Sequence, residues 1–556
     1  MSAWSRMEEA RQAIAAVIEE FLARQGYEEL VPLVQVEVPT EPGHGDLATS
    51  FALKVAGRMR RSPHELLQEL ESEWSKVPAV ASYEIAGPGF LNFTLDTPWM
   101  ALVIDQISNN PAEYGNTNVG HGQRVLLEYV SANPTGPMVV VSGRAAAVGD
   151  TLARVMQASG YRVTREFYVN DAGNQIATLG HALALRLLEL DGEDVESTWP
   201  DNVYPGDYVK GLAAVYRDEH PGLEASRLGE SDWPDLGVWA AERIRQSHEQ
   251  VLKRFGVVFD SWFSERKLRE SGGPQAIIDR LAERGCVLEQ DGATWFQSTR
   301  FGDDKDRVMI KSDGTFTYFV PDAAYHAGKF DRGFDYVIDL LGPDHHGYVS
   351  RMRAVVQALG YPPDRLEIMI VQLVRLMRGQ ELVRMSKRGG NFVPLEDLIA
   401  EAGVDPTRFF FLERAPQTPM DFDLNLAVLR GSENPVYYVQ YAGARIHSIL
   451  RQWRESGLDP VPLDLGLLTL AEERELIMLL ARFPDVLMRV AKERAPQHLP
   501  RYLMSLAAAF HAFYRVGRIL DAQPSLRQAR LALIEAVLAV NTRGLQLMGI
   551  EQPQEM

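Results

Sequence analysis

Across 556 residues there is one cysteine, Cys286. A single thiol excludes a disulfide framework and any cysteine-rich zinc site, and it suits a reducing compartment. Within ERGCVLEQ it reads as buried apolar filler. Long uncharged runs are missing too. No segment reaches the ~18 apolar residues a membrane span needs, and LALIEAVLAV is broken by Glu535. Glu8 and Glu9 fall where a secretion signal would carry apolar residues, so the first stretch reads as an amphipathic helix. Positive charge is the minority: 57 Lys and Arg stand against 75 Asp and Glu, for a net charge of −18. Taken alone, that balance argues against nucleic-acid binding, because phosphates call for a basic face. It does not exclude local basic stretches such as KVAGRMRR, Lys54 to Arg61. The expectation is a cytoplasmic chain without membrane contact or structural metal.

The length implies three or four domains, and 46% hydrophobic with 24% charged residues is ordinary for globular material. Residues 1–110 read as an α/β module. It has a helix near Glu8–Arg24 and a second from about Ala48 to Arg60. A third has Ser62 as N-cap and Pro63 at its first position. Gly87 and Gly89 mark a tight turn in YEIAGPGFLNFTL. The polar stretch Asn109–Gln123 reads as a linker.

Residues 120–400 open with the strand RVLLEYV, Arg124 to Val130, a loop, a small-residue helix from about Gly143 to Ser159, and the strand YRVTREFYV. Strand, helix and strand in this order predict a parallel pair with a right-handed crossover, the start of a doubly wound α/β sheet of Rossmann type. Ligands in such sheets sit at the carboxyl ends of strands. The loops Ser131–Ser142 and Asn170–Gln175 are therefore the first candidates for a site. Residues from about 176 to 290 read as a mainly helical insertion between the two halves of the sheet. TWFQST, RVMIKSDG, TFTYFV and DYVIDLL would carry the second half, with LEIMIVQLVRL as a further strand. Residues 401–433 read as a connecting segment and 434–556 as an all-helical domain.

Four motifs carry chemistry. SANPTGP followed by a helix start can hold a phosphate on free N–H groups, although a glycine turn between strand and helix is also a common plain connection. ELVRMSKRGGNF offers Lys387 and Arg388 to a polyphosphate, with Gly389 and Gly390 letting the loop close; on composition alone a solvated basic turn would serve equally well. GPDHHGY ends an apolar strand, and contacts to a ligand through Asp344 or His345 suit it better than a metal. TYFVPDAAYH places Tyr318 and Asp322 where they could line a pocket for a cationic substrate, together with Glu128; helix capping by Asp322 and packing by Tyr318 is the alternative.

Taken together, these stretches strongly resemble the class I aminoacyl-tRNA synthetases, in particular the bacterial arginyl-tRNA synthetases. HGDLA and AGPGFLNFTL are similar to that family's N-terminal, tRNA-contacting domain. LEYVSANPTGP, FYVNDAGNQ, FGDDKDRVMIKSDG and LLGPDHHGYVSRMRAVVQALGY resemble its catalytic core. RMSKRGGNFVPLEDLI is similar to the class I KMSKS loop, with Arg384 in place of the first Lys, and NPVYYVQYAGARI to the opening of its helical anticodon-binding domain.

The resemblance implies that ATP, accompanied by Mg2+, and L-arginine form an arginyl-adenylate, and that the arginyl group passes to tRNA(Arg). It also implies a monomer. It assigns arginine to Glu128, Ser131, Asn133, Tyr318, Asp322 and Asp344. The nucleotide falls to Pro134, Thr135 and Gly136 of the first loop, to Ser142, Gly143 and Asp150 of the helix, and to His345 and Met385. Ser386, Lys387 and Arg388 would act on the phosphates, and Tyr437, Tyr438, Gln440 and Tyr441 would meet the tRNA; helix packing is the other role open to those tyrosines.

One departure stands out. Val139, Val140, Val141 and Ser142 occupy the positions where the family has His-x-Gly-His, while the flanks match without a gap. Valine donates no hydrogen bond to phosphate. Two readings follow. In one, the chain is an active ligase and the load passes to the helix start, Ser142, Arg144, Lys387, Arg388 and His345 or His346. In the other, it binds arginine or tRNA without forming adenylate. The retained basic loop, acidic pocket set and helical C-terminal domain favour the first. A class I relative of other specificity is the third reading; Glu128 and Asp322 argue for arginine, and the lack of zinc-ligand cysteines argues against the cysteine-specific relative.

Overall fold

Val125, Leu126 and Leu127 are fully buried, as a strand covered on both faces requires. They belong to β1 (Arg124–Glu128), the middle of a five-stranded sheet. The computed structural model describes residues 5–39, 43–195, 197, 199–345, 347–383 and 393–556. The other strands of the sheet are β2 (Arg162–Val169), β3 (Ser261–Ser264), β4 (Tyr336–Leu341) and β5 (Leu366–Ile370). Their order is β5-β4-β1-β2-β3 and every pairing is parallel. The helix α1 (Val140–Ala158) joins β1 to β2. It lies close over the sheet because Gly149 leaves room for the Tyr129 ring, which an added Cβ would approach to 2.3 Å. Gly160, at φ +87°, turns the chain out of the helix toward β2. The order reverses between β4 and β1, so the chain leaves these neighbours in opposite directions and opens a crevice at their carboxyl ends.

Several elements differ from the expectation. β1 ends at Glu128 rather than Val130, because Val130 and Ser131 adopt φ values of 72° and 42° and turn the chain. The helices Asn174–Leu190, Tyr208–Glu219 and Trp233–Arg254 pack around their own apolar core, which includes Leu183, Val209 and Ala240. The chain nevertheless returns to the parallel sheet at Ser261, inside the stretch expected to be insertion. TWFQST and RVMIKSDG do not join the second half of the main sheet. Ala293–Phe296 and Arg307–Ile310 form a separate antiparallel sheet with Val287–Gln290. TFTYFV opens the helix α2 (Phe319–Asp331) instead of forming a strand; its β-branched and aromatic residues read as β, but Phe319 and Val320 are buried as the first helical turn. LEIMIVQLVRL divides: β5 stays in the main sheet, and Val374–Arg378 pairs with Glu381–Leu382 and Met420–Asp423. Near the N-terminus, Leu47–Thr49 is a strand and the helix begins only at Phe51.

Other local signals hold. Ser62 and Glu65 form a reciprocal capping box with Pro63 behind the cap. Gly87 and Gly89, at φ 52° and 148°, turn the hairpin between Val80–Ala86 and Phe90–Leu95. At the C-terminal end the helices Pro435–Glu455, Ala471–Glu493, His498–Val516 and Pro524–Leu547 pack together, and the Asn434 side chain caps the first by accepting from Val436 N–H at 3.2 Å.

Candidate active site at the carboxyl ends of β1 and β4

The site begins with a strained turn. Ser131 N–H donates to the Tyr129 carbonyl at 3.0 Å, which forces Val130 between them to φ 72°. A β-branched residue in that region costs on the order of 1–3 kcal/mol. The turn aims the Ser131 hydroxyl two ways: it donates to Glu128 Oε1 at 2.8 Å and accepts from Tyr168 N–H at 3.1 Å. Beyond it, Asn133 Oδ1 accepts from the Asn170 amide at 3.2 Å. The two loops singled out from sequence thus meet.

Helix α2 supplies the facing wall. Asp322, Tyr325, His326 and Lys329 recur at three- and four-residue spacing and share one face. Lys329, fully buried, donates to Glu128 Oε2 at 2.5 Å and Asp339 Oδ1 at 2.7 Å. The His326 ring sits between the Asp322 carbonyl and Asp339 Oδ2, each at 2.8 Å. Glu166 on β2 receives a bidentate Arg332 at 2.6 and 2.9 Å, the Tyr325 hydroxyl at 2.8 Å and the Ser261 hydroxyl at 2.9 Å.

In front of this network, Glu128, Ser131, Asn133, Asn170, Asp322, Tyr325, His326 and Asp339 line a cavity of about 250 Å³. Of the residues expected to hold arginine, Glu128, Ser131, Asn133, Tyr318 and Asp322 line it, as does His345 from the nucleotide set. Tyr318 stands at the rim with 79% of its surface exposed. Asp344 does not line the cavity; it is exposed on the turn after β4. Burial drives the Asp322 carboxyl up to about 6, helped by the charges of Glu265 and Glu128 and opposed by His326 and the Tyr348 hydroxyl. Among the described residues no Lys or Arg forms an ion pair with its carboxylate, and His326 is the cationic group that acts on it. A carboxylate so placed selects a cation with hydrogen-bond donors, as a guanidinium has.

Sequence reasoning missed Tyr168, Glu265, Tyr325, His326, Asp339 and Tyr348 as wall residues. Tyr325 and His326 had a usable signal, since they lie three and four residues after Asp322. Glu265, held by Arg269 at 2.5 Å, had none, because only the sheet brings it near.

The nucleotide side departs further from expectation. The loop after β1 is anchored from the helical insertion: the Tyr208 hydroxyl donates to the Thr135 carbonyl, and His248 Nε2 lies 2.8 Å from the Gly136 carbonyl. Pro134 is buried beside them. The N-terminus of α1 is not free as a whole. Val140 N–H donates to the Val393 carbonyl at 3.2 Å, while Ser142 and Gly143 N–H donate to the Val139 carbonyl at 3.0 and 3.2 Å. Arg144 does not reach toward phosphates: it is fully buried and donates to the carbonyls of Gln372, Thr418 and Ala415 at 2.9, 2.9 and 3.0 Å. Burial lowers its guanidinium to about 10. Asp150 is also turned away from any ligand, because its Oδ2 accepts from Arg154 at 2.8 Å and Arg408 at 2.5 Å. Gly143 serves packing, since a Cβ there would lie 2.4 Å from Leu395 Cδ1. Met385, Ser386, Lys387 and Arg388, like His346, lie outside the described residues.

On the C-terminal helices, Tyr437 stacks on Tyr441 with centroids 6.0 Å apart, and Arg445 lies over the Tyr441 and Tyr514 rings at 5.0 and 4.6 Å. Tyr438 packs on His511 at 4.7 Å. Gln440 is not open to a base: it is buried, and its amide donates to Asp405 Oδ2 and the Glu551 carbonyl, each at 2.8 Å.

Three family models match the chain. "Arginyl tRNA synthetase N terminal domain" matches residues 8–95, "tRNA synthetases class I (R), catalytic domain" residues 103–196 and 232–420, and "DALR anticodon binding domain" residues 439–556. The residues skipped inside the catalytic match hold the helix Tyr208–Glu219 of the insertion. An arginine–tRNA ligase of Symbiobacterium thermophilum is 45% identical over 99% of this chain and 98% of its own length. One from Bacillus subtilis is 42% identical over 98% and 97%. Among solved structures, a putative arginyl-tRNA synthetase from Campylobacter jejuni aligns with a TM-score of 0.75 and 34% identity, covering 83% of this chain and 100% of that one. The Thermus thermophilus arginyl-tRNA synthetase aligns at 0.76 over 98% and 100%; at 22% identity it speaks for the fold.

Proposed function

The chain belongs to the arginyl-tRNA synthetase family of class I, and from that premise we propose that it joins L-arginine to tRNA(Arg) at the expense of ATP. The observation that carries the substrate is the partly buried Asp322 carboxylate, in no ion pair with a Lys or Arg among the described residues, at the crevice between β1 and β4. Asp322 takes the guanidinium. Glu128, Ser131 and Asn133 align the rest of the amino acid. The arginine carboxylate then attacks the α-phosphorus of ATP, the bond to pyrophosphate breaks, and arginyl-adenylate forms. A hydroxyl of the terminal tRNA ribose attacks its carbonyl and releases AMP. No enzyme nucleophile is needed; positioning and charge stabilisation do the work.

ATP lies along Thr135–Gly136 and His345, with Lys387, Ser386 and Arg388 closing on the phosphates; the family resemblance of RMSKRGGNF supports that part. Mg2+ brought with the ATP would neutralise charge on its phosphates. Among the described residues no group of three or more His, Cys, Asp or Glu is arranged to hold a metal. Tyr437 and Tyr441, with Arg445, offer stacked rings and positive charge to anticodon bases. The working form is a cytoplasmic monomer. No described helix is long and apolar enough to cross a membrane. Nothing found favours a chain that binds without forming adenylate.

The test is arginine-dependent exchange of pyrophosphate into ATP, with and without tRNA(Arg), for wild type, Lys387→Ala and Asp322→Asn. Exchange that requires arginine and falls at least about 100-fold in either variant supports the reading. Bound arginine without any exchange overturns it.

A further inference from the structure

Between Pro134 and Pro137 the loop after β1 has only two backbone N–H groups, those of Thr135 and Gly136, because proline carries none. Gly136 also has the widest backbone freedom of the stretch. Unrestrained, the peptides around it would rotate and turn carbonyls where N–H groups are wanted. The structure restrains both. The Tyr208 hydroxyl donates to the Thr135 carbonyl, and His248 Nε2 lies 2.8 Å from the Gly136 carbonyl. A third carbonyl of the loop, that of Met138, accepts from Leu395 N–H at 2.8 Å. In a trans peptide the N–H points opposite to the C=O. With the Thr135 carbonyl turned onto the insertion, the Gly136 N–H is turned away from it. No backbone carbonyl among the described residues accepts from that N–H. Carbonyls spent on the protein and an N–H left open suit an anion.

Packing alone does not account for His248. The residue is 1% exposed. A carbonyl oxygen only accepts, so the ring proton sits on Nε2, and Nδ1 is left buried with no partner among the described residues. Burial holds the ring below the usual histidine range, Arg245 acts the same way, and the bond to Gly136 opposes them. A buried nitrogen without a partner costs stability. A phenylalanine would fill the space without that cost, so the bond to Gly136 is what histidine adds. Tyr208 is placed with similar care. Its ring folds back beside Gly206, where an added Cβ would come within 2.4 Å of it.

Both donors stand on one frame. The helices Asn174–Leu190 and Trp233–Arg254 meet backbone to backbone: a Cβ on Gly180 would lie 1.8 Å from the Trp233 carbonyl, and one on Gly237 would lie 1.9 Å from the Ile176 carbonyl. The helix Tyr208–Glu219 joins the same core through Val209 and Ala213. Just ahead of the first helix, Asn170 holds Asn133. The insertion and its lead-in thus grip the loop at three residues.

We infer that Tyr208 and His248 are positioning residues for the nucleotide: by holding the carbonyls of Thr135 and Gly136 they keep the Gly136 N–H aimed at the phosphates of ATP. They act through the loop and not on the substrate. This inference rests on the reading that ATP lies along Thr135–Gly136.

The experiment uses the full chain with tRNA(Arg). It measures KM for ATP and kcat in pyrophosphate exchange, calorimetric binding of L-arginine without ATP, and Tm. Tyr208→Phe keeps the ring and loses only the donor. It should raise KM for ATP at least about fivefold, the worth of one hydrogen bond, and leave arginine binding within about twofold of wild type. Its Tm should stay close to that of wild type. His248→Phe should raise KM for ATP in the same way, and His248→Gln, whose amide donates again, should recover most of the loss. A purely structural role would lower Tm and the active fraction at unchanged KM for ATP. Unchanged KM for ATP in Tyr208→Phe overturns the inference, even should His248→Phe not fold. So does a rise in His248→Phe that His248→Gln fails to relieve, or arginine binding weakened as much as KM for ATP is raised. In each of those cases wild-type exchange leaves the functional reading standing. Wild type without arginine-dependent exchange overturns both.

Discussion

Asp322 shows at the scale of one residue how function is set against stability. Its carboxyl, ordinarily near 3.8, is pushed up to about 6 by burial and by the charges of Glu265 and Glu128. A carboxyl raised in the folded state binds a proton more tightly folded than unfolded. Its contribution to stability is complete below about 3.8 and is lost as pH rises through about 6. At pH 8 the ionised group is held against its preference, at a cost of up to about 3 kcal/mol. Asp322→Asn should therefore raise Tm at pH 8, leave it nearly unchanged at pH 4, and abolish arginine binding. Denaturation at both pH values checks this; equal Tm shifts at pH 4 and pH 8 would refute the account. The residue itself was legible in TYFVPDAAYH as an acid near a cationic ligand. Its lack of a Lys or Arg partner was not, because Lys329 is committed elsewhere only through contacts across the sheet.

At the scale of elements, the start of α1 is decided by a distant segment. Leu395 N–H donates to the Met138 carbonyl at 2.8 Å, Val140 N–H reaches Val393, and Val139 bridges Pro394 in antiparallel fashion. Val139 suits that extended, half-buried pairing better than it suits phosphate binding, while Val140 and Val141 are the first residues of the helix. The three contacts tie the nucleotide helix to the segment directly after residues 384–392. Leu395, fully buried, lies against Gly143. Gly143→Ala should thus overfill the contact and destabilise by about 1–3 kcal/mol, with a loss in exchange rate at unchanged KM for arginine. Adding Leu395→Ala should recover part of the stability, so that the pair couples by more than about 0.5 kcal/mol in a double-mutant cycle. Additive effects would show that the two elements do not meet in solution. The sequence marked the helix by its small residues and the segment by its basic loop. It carried no sign that they join, since the partners are far apart in the chain and no periodicity spans such a gap.

At the scale of the molecule, Arg408 ties four parts together. It is fully buried and donates to the Met548 carbonyl at 2.6 Å, the Phe255 carbonyl at 2.9 Å and Asp150 Oδ2 at 2.5 Å. Those partners end the last helix, end the insertion helix and lie within α1. The N-terminal module is fastened in the same manner: Asp46 accepts from Leu95 N–H at 2.7 Å and pairs with Arg474, and Tyr114, in the stretch expected as a linker, donates to the Leu480 carbonyl at 2.9 Å. Arg408→Met strands Asp150 with Arg154 alone and leaves two carbonyls without a donor. The expected cost is about 3–5 kcal/mol, and calorimetry should show the C-terminal helices melting apart from the catalytic sheet. A single transition at the wild-type temperature would contradict this.

The sequence by itself determined the parallel sheet, its flanking domains and the family, and it pointed to two of the four carboxylates that line the cavity, Glu128 and Asp322. Those features are written locally, in apolar runs, caps, glycine turns and motifs a few residues long. It read TFTYFV as strand, placed the return to the sheet too late, and gave Arg144 and Asp150 to a nucleotide. Only the tertiary structure decided those points. Whether a charged side chain is free for a ligand depends on which distant partner reaches it first, and that is fixed by packing across the sheet and between domains.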